Sequence, residues 1–362
     1  MRLSAASLAR SVAFWLATAG ACACNRTPEA KPDAPSRSAQ KPAIVATAPA
    51  ASASGPGSAS ASVPPAPASY RLPARARLVA IGDIHGDLTA LRGALRLAGA
   101  IDSDDRWIGK DLTVVQTGDQ VDRGDQDREV LDVLERLEAS AKAAGGAVHV
   151  LIGNHELMNA RFDFRYVTRK SFASFDDFSS SASKLAGHVP DAELGRASAF
   201  MPGASYALKL SRHLTVALVG DSLFAHAGVQ PAHVDYGLDR INREASAFLA
   251  GKIRELPAVL SAESGPVWMR DYGSPEVGEA TCEAVGRVLA QVGAKRLIVG
   301  HTVQEHGISS ACQERLFRID VGLSAFYGAK APQVLEVTAG GARILDAAKP
   351  GKSRDSALHS SP

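Results

Sequence analysis

The sequence predicts an α/β fold of two β-sheets flanked by helices, with a helical insertion capping the ligand side. Three observations predict it. Five glycine-bearing motifs follow one another: GDIHGD from Gly82, GDQVDRGD from Gly118, GNHE from Gly153, HAG at His226 and GHT at Gly300. Each comes after an apolar run that reads as a strand. The first three runs alternate with helical patterns, the β-loop-α order that builds sheets with ligand loops at their carboxyl ends. Further short apolar runs resume after a stretch rich in phenylalanine and serine.

The elements are expected in this order. Leu78–Ile81 is a buried strand ending at Gly82, and Leu88–Ala98 has apolar residues at helical spacing. Leu112–Gln116 is the second strand. Glu129–Ala144 is a helix whose apolar face is Val130, Leu131, Val133, Leu134 and Leu137, stopped by Gly145 and Gly146. Val148–Ile152 is the third strand. Ala160 to Ser205, with Phe162, Phe164, Phe172, Phe175 and Phe178, reads as helical substructure over the site. Tyr206–Leu210, Leu214–Val219 and Leu223–Ala225 read as antiparallel strands. Arg243–Leu249 and Cys282–Val292 read as helices. Arg296–Val299, Leu316–Ile319 and Val334–Val337 read as strands, with Ala342–Leu345 a further one.

The motif residues suit phosphoester hydrolysis. That reaction needs an activated water, positive charge on the phosphoryl oxygens and a proton for the leaving group. Two divalent ions ~3.5–4 Å apart supply the first two. Asp83 and His85 sit two apart on one turn, so both side chains can reach one ion. Asp119 follows the second strand and has two oxygens with which to bridge two ions. Asn154 offers an amide oxygen, and His226 and His301 offer imidazoles from the second half. Nitrogen and oxygen ligands without thiolate suit Mn, Fe or Zn rather than Ca. Taken alone, a GD-x-H is a turn and either histidine a packed strand residue. Together, at strand ends, they read as a metal centre.

The five motifs in this order resemble the metal-dependent phosphoprotein phosphatase family of calcineurin-like metallophosphoesterases. GDQVDRGD, VGHTVQ and IDVGLS are most similar to its bacterial-type branch, the Shewanella-like protein phosphatases, over roughly Arg75 to Ala348. The resemblance implies the two-sheet metallophosphoesterase sandwich. It implies that Asp83, His85 and Asp119 hold one ion, and that Asp119, Asn154, His226 and His301 hold the other. It implies that His155 gives a proton to the leaving oxygen, that Asp122 orients His155, and that Arg123 clamps phosphate. A second clamp is Arg270 in VWMRDYG, where that branch carries an arginine after a tryptophan; Arg165 and Arg169 compete with it. Gln120 stands where eukaryotic members have tyrosine or phenylalanine, and IDVGLSAFYGAK replaces their SAPNY-type loop. Serine/threonine specificity is therefore not implied; some members of the branch favour phosphotyrosine.

The rest of the chain bounds export and partners. Of 362 residues, Met1 to Cys24 read as a secretory signal: Arg2 and Arg10 lead, and Val12–Ala21 is apolar or small. Cys22 and Cys24 follow small residues as in a bacterial lipoprotein box, though the usual leucine three places earlier is missing for both. Residues 25–74 are Ala-, Pro- and Ser-rich with no period, a disordered tether by composition. Residues 349–362 form a polar tail, leaving 75–348 as the folded domain. The chain is thus expected to be exported, either periplasmic or held at a membrane by lipid. The net charge of +2, without a basic stripe, points to no nucleic-acid partner. Cys282 and Cys312 are either a disulfide in an oxidising compartment or two separate thiols. The expected substrate is a phosphorylated protein or peptide, or a small phosphoester. The competing functions are a dinucleoside polyphosphate or nucleotide phosphatase and a non-catalytic binding protein on the same fold.

Overall fold

Alternation along the strands divides the interior into two cores. The computed structural model describes residues 69–349 apart from 180–184, 186 and 188. The expected signal, Cys22 and Cys24, the linker as far as residue 68, residues 350–362 of the tail and part of the serine-rich run lie outside the described residues. A five-stranded sheet has the order β11-β10-β2-β3-β4. Its strands are β2 (Arg77–Ile81), β3 (Thr113–Gln116), β4 (Ala147–Val150), β10 (Gln333–Thr338) and β11 (Gly341–Asp346). A six-stranded sheet has the order β1-β5-β6-β7-β9-β8. Its strands are β1 (Arg71–Leu72), β5 (Val216–Val219), β6 (Ser222–Ala225), β7 (Arg296–Val299), β8 (Ser309–Ala311) and β9 (Leu316–Arg318). Ala217, Val219, Phe224, Ile298 and Phe317 join the core of the five-stranded sheet. Their neighbours Val216, Leu218, Leu223, Ala225, Leu297 and Val299 face a second core shared with helices. Period-two burial on both faces is what a sheet between two layers requires.

β2, β3 and β4 are parallel, as are β6, β7 and β9. Their carboxyl ends therefore carry all five motifs. The helices between them begin where chemistry allows. In α1 (Leu88–Leu97) the Asp87 carboxylate accepts the Ala90 N–H at 2.9 Å, an N-cap. α2 (Asp127–Ala143) has Asp127 and Glu129 in its first turn, where negative charge meets the helix dipole. α3 (Asn154–Ala160) starts inside GNHE, so Asn154 and His155 ride on a helix N-terminus, not a strand end. The insertion is helical, as expected, with α4 (Arg169–Ala173) and α5 (Leu194–Phe200). Phe175 packs edge-on against Phe200 and Tyr206 at 5.3 and 5.1 Å.

Three expectations are corrected. Ser205–Leu210 is a helix, α6, rather than an antiparallel strand. Tyr206, Leu208 and Leu210 mimic alternation, but the buried residues are Tyr206, Ala207 and Leu210, one helical face. β5 and β6 do pair antiparallel. The folded body also starts before residue 75, because β1 pairs with β5 and the Tyr70 N–H donates to Asp239 at 2.7 Å. The helix expected over Arg243–Leu249 begins earlier, as α8 (Leu238–Leu249), preceded by α7 (Pro231–Tyr236) and followed by α9 (Ala258–Ser261). Finally, α10 (Glu279–Val292) is joined to the β8–β9 turn by a Cys282–Cys312 disulfide, which decides between the two cysteine readings.

Candidate active site

Left-handed backbone recurs at the site, as it does in several turns elsewhere. His85, Asp119, Asp122, Arg123 and His301 all have φ between 48° and 72°, the left-handed region that non-glycine residues avoid. Each costs about 1–3 kcal/mol and persists only where its surroundings hold it. Glycines make room beside them. A Cβ on Gly118 (φ 102°) would lie 2.9 Å from His226 Nδ1, and one on Gly300 would lie 2.4 Å from Asp83 Oδ1.

Three imidazoles are oriented in the same way. His85 Nδ1 pairs with the Val121 carbonyl at 3.1 Å, His226 Nδ1 with the Thr117 carbonyl at 3.0 Å, and His301 Nε2 with the Trp268 carbonyl at 3.2 Å. Each nitrogen must donate, so the other nitrogen of each ring is left as a bare lone pair. The lone pairs of His226 and His301 converge on acceptors, whereas that of His85 faces the Arg123 guanidinium. His226 Nε2 lies 3.0 Å from His301 Nδ1, 2.9 Å from Asn154 Oδ1 and 3.4 Å from Asp119 Oδ1. Turning the Asn154 amide over would let its Nδ2 donate to both histidines. With Oδ1 inward, only a cation offsets four acceptors, and this donor set fits a divalent metal. The second oxygen of Asp119 faces the other way, 3.7 Å from His85 Nε2. Asp119 is thus shared by two clusters, one with His226 and His301 and one with His85 and His155.

Asp83 lies 3.9 Å from His85 Nε2, and its carboxylate accepts the His301 N–H. Burial, with Asp320 and Asp119 nearby, holds its pKa well above the usual range. Burial would raise Asp119 as well, but His226, His155 and His85 outweigh it and hold this carboxyl well below the usual range. Burial and the neighbouring His155 keep His85 well below an ordinary histidine; burial and His226 do the same for His301.

His155 differs from these histidines. Its Nδ1 is 2.6 Å from Asp122 Oδ2. Burial would lower its pKa, but Asp119 and Asp122 outweigh burial and raise it. His155 lines a cavity of about 200 Å³ together with Asp119, Asn154, Arg123, Arg270, Tyr166 and others. The structure therefore brings both candidate clamps, Arg123 and Arg270, to one cavity. Arg165 also lines it but is paired with Asp163 at 2.7 Å, and Arg169 is not among the lining residues. Arg123 Nη1 lies 2.5 Å from His85 Nε2. Rings of Tyr166, Tyr327 and Phe326 surround its guanidinium at 5.2, 5.5 and 5.8 Å.

Glu156 closes the GNHE motif and Asp320 lies in IDVGLS, but their contacts show only in the structure; Arg196 stands in no motif. Glu156, at the third turn position of α3, accepts N–H groups from Gly153, Asp119 and Gln120 at 2.7, 3.0 and 2.9 Å, tying the second motif to the third. Burial and the Asp119 charge push its pKa to about 7. Asp320, past the end of β9, is buried beside the clusters with its pKa raised to about 6, mainly by burial. Arg196 of α5 reaches Asp122 at 3.0 Å.

The profile of the calcineurin-like phosphoesterase family matches residues 76–305. Shewanella-like protein phosphatase 2 of Arabidopsis thaliana is 37% identical over 292 residues, covering 72% of this chain and 75% of that protein. Shewanella-like protein phosphatase 1 of Plasmodium berghei is 29% identical over 270 residues, covering 72% and 71%. Among solved structures, a cold-active protein-tyrosine phosphatase of a psychrophilic Shewanella species superposes with a TM-score of 0.63 at 26% identity, covering 77% of this chain and 80% of that one.

Proposed function

The chain belongs to the calcineurin-like phosphoesterase family, within it to the Shewanella-like protein phosphatases, and on that premise we propose that it hydrolyses phosphotyrosine esters of proteins or peptides. It is a metal-dependent phosphatase, and its substrates are phosphorylated. The finer reading assigns the residues. Asp83, His85 and Asp119 hold one ion; Asp119, Asn154, His226 and His301 hold the other, with Mn, Fe or Zn as the metals. When bound, two such ions activate a water and neutralise phosphoryl charge. The opposed oxygens of Asp119, one toward His85 and one toward His226, support a bridging role.

The remaining groups divide the work. Arg123 and Arg270 face one cavity and supply the cationic clamp. His155 carries a proton on the cavity wall and releases it to the leaving oxygen. Asp122, bonded to its Nδ1, fixes the ring and favours the charged form. That pair, with His155 lining the same cavity as Arg123, Arg270 and Asp119, is the observation that carries the reading.

The aromatic rim supports an aryl ester. Tyr166 and Phe326 are exposed beside Arg123, and the Tyr166 ring lies 5.1 Å from His155. A phenyl leaving group can stack where a serine side chain would leave the rings wet. The Shewanella structure with the same fold is a tyrosine phosphatase by name. A panel of phosphotyrosine, phosphoserine and phosphothreonine peptides and dinucleoside polyphosphates, with and without Mn, tests this. Phosphotyrosine is expected to lead by ~10-fold or more in kcat/KM. A lead by dinucleoside polyphosphates overturns the reading.

The chain is further inferred to be exported, as a periplasmic protein or one anchored by lipid on Cys22 or Cys24. The Cys282–Cys312 disulfide supports an oxidising compartment. Among the described residues no helix is long and apolar enough to cross a membrane.

A further inference from the structure

Arg196 is charged yet 0% exposed. It stands on α5 in the insertion, with the Phe175 and Phe200 rings 5.2 and 4.9 Å from its guanidinium carbon. Nη2 reaches Asp122 Oδ1 at 3.0 Å and Asp127 Oδ2 at 2.7 Å. Nε donates to Asn159 Oδ1 at 2.7 Å, and Nη1 to Ser171 Oγ at 2.8 Å. The partners hold one another as well. Asn159 Nδ2 donates to Asp122 Oδ1 at 2.9 Å. Asp127 accepts the Asp122 N–H at 3.0 Å and the Ser171 hydroxyl at 2.6 Å. Asp122 Oδ1 is thus claimed twice, which turns Oδ2 toward His155.

A buried network of one guanidinium and two carboxylates is weak evidence for stability, since well-packed apolar residues often do as well. Its geometry has another use. We propose that Arg196 is a positioning residue for proton transfer: it locks Asp122 so that Oδ2 faces His155, and through it the insertion sets the geometry of the donor pair. The inference rests on the reading of His155 as proton donor. Arg196 is not among the residues lining the cavity, so it acts through Asp122. A guanidinium can serve four partners in a fixed fork, whereas a lysine ammonium is a point charge.

The test is a leaving-group series. Wild type, Arg196→Met, Arg196→Lys and His155→Ala are assayed on 2,4-dinitrophenyl, p-nitrophenyl and phenyl phosphate, using protein whose circular dichroism matches wild type. A poor leaving group needs the proton; a good one does not. Arg196→Met is expected to lose ~10²-fold in kcat on phenyl phosphate and under about threefold on the dinitrophenyl ester, with KM within about twofold. Arg196→Lys is expected to fall between Arg196→Met and wild type. If Arg196→Met does not fold, Arg196→Lys decides alone, with a several-fold loss confined to the poor leaving group. A loss equal on all three esters, or no loss, in the deciding Arg196 variant while His155→Ala is leaving-group dependent overturns the inference alone. A His155→Ala profile that is itself flat overturns the donor reading and the inference with it.

Discussion

His155 Nδ1 stands 2.6 Å from Asp122 Oδ2, and His155 lines one cavity with Arg123 and Arg270. A carboxylate at that distance favours the protonated ring. Burial opposes this, but Asp119 and Asp122 together raise His155 above an ordinary histidine. The Asp122 carboxylate therefore favours the acid form, and turnover of a poor leaving group should decline as rising pH removes that proton. Asp122→Asn removes one of the two raising charges. The alkaline limb of kcat on phenyl phosphate should move to lower pH, with KM little changed. An unmoved limb, or one displaced upward, contradicts the pairing.

Asp119 is the residue on which both ligand clusters depend. Its oxygens face His85 at 3.7 Å and His226 at 3.4 Å. Asp119→Asn keeps the shape and removes the shared charge. Activity should fall by more than the ~10–100-fold that an outer hydrogen-bond partner of a metal ligand costs. Bound metal should fall below that of wild type by elemental analysis. Full metal occupancy with reduced activity would show that Asp119 is no ligand.

The disulfide makes a separate prediction about stability. It closes a loop with a sequence separation of 30, joining α10 to the β8–β9 turn. Loop entropy of that length is worth about 3–4 kcal/mol in the unfolded-state account. Replacing Cys282 and Cys312 with serine should lower denaturant stability by that order and leave kcat intact. Unchanged stability would mean that the cross-link adds nothing to the fold.

Much of this was legible in the sequence, for a physical reason. The candidate ligands Asp83, His85, Asp119, Asn154, His226 and His301 stand out because each lies in a short glycine-bearing motif just past an apolar run. The parallel strands β2 and β3 were readable because burial on both faces calls for apolar centres, LVAI and VV, while β4 alternates, with Val148 and Val150 buried and His149 half-buried. Tyr206–Leu210 failed because a single helical turn and a strand share the same apolar letters; only burial of Ala207 in place of Leu208 separates them. Arg196 was invisible. In LGRASAF it reads as an ordinary surface arginine, and its partners Asp122, Asp127, Asn159 and Ser171 come from four other segments. Asp320 lies in the IDVGLS stretch, but its place in the site did not show there, because its neighbours Asp83 and Asp119 are remote in sequence.

The N-terminal expectation is tested by fractionation. Replacing Cys22 and Cys24 together with serine should release the protein into the soluble extract with unchanged kcat. A wild type found soluble in the periplasm leaves secretion and removes the anchor; one found uncleaved in the cytosol removes both.

The two-metal centre is open to direct titration of the purified chain. Protein stripped by chelator is titrated with Mn, and bound metal and phosphotyrosine hydrolysis are measured on the same samples. Stripping should abolish activity, the titration should saturate at two ions per chain, and turnover should recover as the second ion binds. Full hydrolysis in the stripped protein, or saturation at one ion per chain, would rule out the two-metal centre.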